Sequence, residues 1–119
     1  MTNSPAAEIA TSQSFHIMRT AKKDIDLSYE KLVYAAPAEV PLRCQRFLEA
    51  LETLAFAFNS GLLDPPTRQF LKGYLESECA ELERRSDAIG DFWRANSDQH
   101  SDACKEIKSI IAALPEVAA

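Results

Sequence analysis

His100 and Cys104 stand four residues apart, the spacing at which one helix face presents an imidazole and a thiol to the same metal ion. Two ligands leave a zinc-like coordination sphere half empty, and His100 opens a predicted helix beside apolar residues, where capping or packing accounts for it. Carboxylate-bridged sites in helical bundles use Glu-x-x-His, and neither His16 nor His100 has a glutamate three residues before it. His16, between Phe15 and Ile17, reads as a surface residue. The chain holds no phosphate-binding glycine loop, no nucleophile elbow and no Cys-x-x-Cys pair. Cys44, Cys79 and Cys104 are odd in number and widely spaced, which is not a disulfide framework. Lying on or near apolar stripes, they read as small hydrophobes. The sequence therefore predicts no catalytic residue, no cofactor and no metal, and a protein that is not an enzyme.

Charge narrows the partners. The formal net charge is −5, and between Glu76 and Asp102 eight acids face only Arg84, Arg85 and Arg94. Nucleic-acid binding needs a basic patch, so this balance argues against it, while a basic protein partner stays compatible. A solvated acidic helix face is the plainer reading. No apolar run approaches the ~18 residues of a membrane span, and the N-terminus has no basic-then-apolar signal pattern, so the expected location is cytoplasmic, away from the membrane.

The elements that would position any site read as helices. Phe47, Leu51, Leu54 and Phe58 share a narrow arc, widened by Cys44, Leu48, Ala50 and Ala55, which predicts a helix over 41–60. Gln45, Glu49 and Glu52 lie opposite. Pro41 suits the first turn, and Gly61 suits the left-handed turn that ends a helix. Asp64 then offers a cap and Pro65 a preset first turn, so a third helix follows at once and the two form a hairpin. Its apolar positions Leu71, Leu75, Leu82, Ile89 and Phe92 stay in phase to about residue 95, with Ser86-Asp87 as a potential break.

Upstream, Phe15, Met18, Ile25, Tyr29, Leu32 and Val33 predict a helix over 12–36, ended by Pro37 and Pro41. Downstream, Ala103, Cys104, Ile107, Ile110, Ile111 and Leu114 predict one over 98–113, stopped by Pro115. Residues 1–11 are small and polar and read as a flexible tail preceding a single helical domain over 12–115. The predicted fold is an all-α antiparallel bundle of about four helices.

Two features exceed what packing requires. Phe56 lies opposite its helix's stripe, and Leu27 and Tyr34 point away from theirs, so the three are candidates for a partner-binding surface or for a wider core. Glu78 and Arg85 occupy the seam between Leu75, Leu82 and Ile89, seven residues apart. If buried, each needs a partner, which an antiparallel homodimer through this seam would supply; the alternative leaves both at the wet margin of the seam.

The segment RFLEALETLAFAFNSGLLDPPTRQFLKGYLESE, Arg46 to Glu78, resembles the core of a family of uncharacterised bacterial helical proteins. In that family a helix rich in Phe, Leu and Glu ends at Gly, an aliphatic residue and Asp follow, and a second helix carries an aromatic and a Gly. Phe47, Leu48, Glu49, Gly61, Leu62, Asp64, Phe70, Gly73 and Leu75 carry the likeness. Many members resemble membrane-anchored proteins, and no anchor segment is seen in this sequence. The resemblance implies a helical fold and no mechanism.

The functional expectation is a non-catalytic protein that binds another protein: a regulator, inhibitor or immunity-type factor of the kind also carried by phages and mobile elements. The alternative is a bundle that holds a small apolar molecule between helices, near Tyr29, Tyr74 and Trp93. Concave aromatic space would favour that alternative.

Overall fold

The computed structural model describes residues 5–96 and 104–114, with side chains from Gln13 onward. The described residues form five α-helices: α1 (Pro5–Val33), α2 (Val40–Asn59), α3 (Pro65–Leu82), α4 (Ala88–Asn96) and α5 (Lys105–Ala113). A 3-10 turn over Pro37–Glu39 links α1 to α2. The fold is all-helical, with one helix more than the four expected. The first helix begins at Pro5 rather than near Ser12, so residues 5–11, expected as a tail, continue it; residues 1–4 lie outside the described residues.

α2 is the hub. Cys44, Phe47, Leu48, Leu51, Leu54 and Ala55 are buried, as their arc predicts, and Phe58 is half-buried. α1 packs along α2 more extensively than any other pair, burying Met18, Ala21 and Ile25. The core stripe of α1 is narrower than the one read from the sequence, since Phe15, Tyr29 and Val33 lie at its exposed margins. Leu71, Leu75, Cys79 and Leu82 of α3 complete the core with Ile89 and Trp93 of α4 and Ile107 and Ile110 of α5.

The α2–α3 turn forms as its residues dictate. Gly61 has φ 80°, a conformation open to glycine at little cost, and Asp64 Oδ1 accepts the Thr67 N–H at 3.1 Å as the cap of α3. Ser14 Oγ, on a buried residue of α1, accepts the Asp64 N–H at 2.7 Å and ties the turn to α1. α3 then lies mainly on α1 and α5 rather than on its hairpin partner. Its cross-contacts rise in step with α1: Phe15 meets Phe70, and Lys22 meets Tyr74. α1 and α3 therefore run parallel, with α2 antiparallel to α1.

The single helix expected over 65–95 is two. α3 ends at Leu82, where Arg84 and Arg85 N–H groups turn back onto the Glu81 carbonyl at 2.9 and 2.8 Å. Asp87 starts α4 by accepting the Gly90 N–H at 3.2 Å. Arg94 reaches back to the free carbonyls of Arg85 and Glu83 at 2.8 and 3.2 Å, and Trp93 Nε1 donates to Glu83 Oε1 at 3.1 Å. The turn is tight enough that a Cβ on Gly90 would clash with the Arg85 carbonyl oxygen. Leu82 and Ile89 are both fully buried, so the apolar register crosses the break although the helix does not.

The last helix begins at Lys105, not residue 98; residues 97–103, with His100 and Ala103, lie outside the described residues. Cys104 enters α5 in the left-handed region, φ 57°, and supplies no side-chain cap. The cap comes from α2 instead. Glu52 accepts the Glu106 and Ile107 N–H groups at 3.0 and 2.9 Å, and Asn59 donates to Glu106 Oε2 at 2.8 Å.

Candidate functional site

Glu78 and Arg85 meet in a cleft of about 290 Å³ walled by α1, α2, α3 and the α3–α4 turn. Asp26 and Tyr29 line it from α1, Phe47 from α2, Tyr74 and Glu78 from α3, and Arg85 from the α3–α4 turn. The helical spacing explains the grouping. Tyr74 and Glu78 are one turn apart on α3, and Asp26 and Tyr29 one turn apart on α1, at matching heights because those helices run parallel.

The expected placement of Arg85 two turns after Glu78 on one continuous helix is corrected, because α3 has ended before Arg85. Its guanidinium contacts both carboxylate oxygens of Asp87, with Nε at 3.0 Å from each and Nη2 at 2.7 Å from Oδ2. That carboxylate holds the Arg85 charge in place, and the pairing keeps Asp87 below the ordinary carboxylate range. Arg85 also lies over the rings of Tyr29 and Phe47, 5.8 and 5.9 Å from their centroids. Arg85 is thus satisfied within its own chain.

Glu78 is not. Among the described residues no hydrogen bond or ion pair holds its carboxylate. Burial pushes its pKa up, Arg85 partly offsets this, and Glu81 and Asp26 push it further. Tyr74 shows the same field: burial, then Glu78 and Asp26, drive its phenol up to about 12. Lys22 Nζ lies 4.6 Å from the Tyr74 ring centroid. The sequence had not assembled these titratable groups, because their convergence depends on the parallel pairing of α1 with α3.

The other candidates do not form one surface. Leu27, Tyr34 and Phe56 are exposed by 45%, 83% and 49%, so each points outward as expected. Asp24 and Ala50 line one groove between the antiparallel α1 and α2, which sets the register. In that register Leu27 lies level with Phe47, midway along α2, and Phe56 lies ~13 Å further along at 1.5 Å per residue. Phe56 shares its end of the bundle with a pair that the sequence did not single out. Phe15 and Phe70 meet in a tilted pair with centroids 5.8 Å apart, yet are 39% and 65% exposed. Leu62, in the adjoining turn, is also exposed.

The thiols take no part. Cys44 and Cys79 are buried and free, and burial drives Cys79 up to about 12, which keeps it a neutral thiol. No group of three or more metal-binding side chains occurs among the described residues, and His16 is exposed. A second hollow of about 440 Å³ has Leu48, Phe92, Trp93 and Cys104 in its lining. No described helix is long and apolar enough to cross a membrane.

Fold and cleft define an all-helical protein with a carboxylate-rich aromatic cleft and an exposed aromatic pair. Against protein-family models, curated proteins and solved structures, no match to the chain was found.

Proposed function

We propose that this protein acts by binding another protein, as a regulator, inhibitor or immunity-type factor, and that the Phe15–Phe70 pair is part of the contact surface. The observation that carries the reading is that two phenylalanines meet ring against ring, tilted at 53°, and are left facing water beside a well-packed core. Exposed aromatic anchors are enriched among interface residues whose truncation costs most in binding. Phe56 and Leu62, exposed at the same end, extend the apolar character. The net charge of −5 favours a basic partner, and a second copy of the chain is a further candidate. The test is affinity capture from the native host with wild-type and Phe70→Ala baits side by side, alongside sedimentation of both. Stoichiometric capture or self-association that Phe70→Ala abolishes supports the reading. Capture unaffected by Phe70→Ala moves the interface elsewhere.

One observation favours a second reading, a small apolar ligand held between helices. The 440 Å³ hollow puts Phe92 and Trp93 in a concave space with Leu48 and Cys104. Trp93 is the only tryptophan, so its fluorescence reports on occupancy directly. A metabolite that shifts Trp93 emission saturably and raises the melting temperature would establish this reading.

A further inference from the structure

The cleft between α1 and α3 sets two carboxylates, Glu78 and Asp26, against a single cation, Arg85, in its lining. Arg85 is matched by Asp87 through both carboxylate oxygens. Glu78 has no such partner among the described residues, and Asp26 lines the cleft from α1. The phenol hydroxyls of Tyr29 and Tyr74 likewise have no hydrogen-bond partner among the described residues. What remains in the lining of this space of about 290 Å³ is two carboxylate side chains, Glu78 and Asp26, and two tyrosines, Tyr29 and Tyr74.

The walls are of a kind that holds cations. Lys22 sits over the Tyr74 ring at 4.6 Å, and Arg85 over Tyr29 and Phe47, so the chain already places its own positive groups on these aromatic faces. At ~30 Å³ per water, the space takes an alkyl chain of a few carbons with its head group, and no large ring system. A primary ammonium brings three donors and no acceptor, which matches a wall of acceptors.

We propose that this cleft seats one primary ammonium group on a short alkyl chain, the chemistry shared by a lysine side chain of a protein partner and a small free amine. In the lysine form it deepens the protein-binding reading and rests on it. Glu78 takes the charge, Tyr29 and Tyr74 enclose the methylene stem and accept from the head group, and Asp26 adds attraction at the mouth. Anions are excluded because Arg85 is already paired.

The test uses the isolated protein with n-butylammonium chloride and N-acetyl-lysine amide as probes, following the ring resonances of Tyr29 and Tyr74 by NMR. Both probes are expected to shift these resonances saturably, with n-butanol and sodium butyrate inert. Glu78→Gln is expected to weaken the ammonium probes about tenfold, the scale of a charge-assisted hydrogen bond. Glu39→Gln, on the exposed α1–α2 linker, is expected to leave them unchanged. Asp26→Asn, at an exposed position, provides a second variant should Glu78→Gln fail to fold, and is expected to weaken binding in the same direction. Tighter binding of the lysine derivative assigns the seat to a protein side chain; tighter binding of butylammonium assigns it to a free amine. No saturable shift, an equal response to butanol, or affinity indifferent to both variants overturns the proposal. Because the probes need no partner, loss of probe binding with retained capture by wild type rejects the seat alone, whereas probe binding without any captured partner rejects the protein-binding reading alone.

Discussion

The carboxylate of Glu52 on α2 accepts the backbone N–H of Ile107 at 2.9 Å and so closes the first turn of α5 from another helix. Its other oxygen takes the Glu106 N–H at 3.0 Å. A helix start leaves its first N–H groups unpaired, and Cys104 contributes no side-chain acceptor here. Glu52→Ala is therefore expected to cost ~1–2 kcal/mol, the range of a lost cap with charge at a helix N-terminus. Urea unfolding of Glu52→Ala checks it, and an unchanged midpoint would show that α5 is held by its apolar face alone.

Gly90→Ala is expected to destabilise by ~1–3 kcal/mol, as overpacking does. The added methyl would meet the Arg85 carbonyl oxygen, which is backbone and is held by Arg94. On helix propensity alone the same change would stabilise by close to ~1 kcal/mol, so the sign of the shift in melting temperature distinguishes the two effects.

Much of this architecture is local and was legible. Gly61 and Asp64 act through their own backbone and its near neighbours, so the α2–α3 turn follows from a few consecutive residues. The split at Leu82 was obscured because Leu82 and Ile89 keep the seven-residue apolar spacing across it, and a period reports burial rather than helix continuity. Glu52 read as part of a polar outer face, and nothing near it in sequence reveals that its partners are at 106 and 107. Phe15 and Phe70 each look like ordinary edge residues until α1 and α3 are set side by side. The cleft was hidden for the same reason.

Phe70→Ala and Phe56→Ala are each expected to leave monomer stability within ~1 kcal/mol of wild type, since much of each ring already faces water. Leu75→Ala, at a fully buried position, is expected to cost ~2–5 kcal/mol. Thermal melts of the three variants in monomeric samples provide the comparison. A loss at Phe56 as large as at Leu75 would place Phe56 in the core.

Glu78→Gln is expected to raise stability at neutral pH. Burial first, with Glu81 and Asp26, raises the folded-state pKa of Glu78, so folding favours its protonated form. Stability from this group is therefore present at acid pH and falls as pH rises from its unfolded pKa through its folded one. The wild type and Glu78→Gln should converge as acid protonates the carboxyl. Asp87 has the opposite sign: its pKa is lowered, so its contribution is lost as pH falls through the folded value. Its side chain is 46% exposed, and solvent screening keeps that contribution small. Melting curves of both proteins across the carboxylate range test this, and parallel pH profiles would contradict it.

α5 spans nine residues, shorter than helices that persist alone in water, and its first-turn acceptor belongs to α2. It therefore has no independent existence as a helix and forms only once α2 is in place to receive it. In native-state hydrogen exchange this makes α5 an opening unit of its own, its amides exchanging through a partial unfolding that leaves the α1–α2 pair protected. The molecule would then lose α5, with the Ile107 and Ile110 share of its core, before it loses the α1–α2 pair.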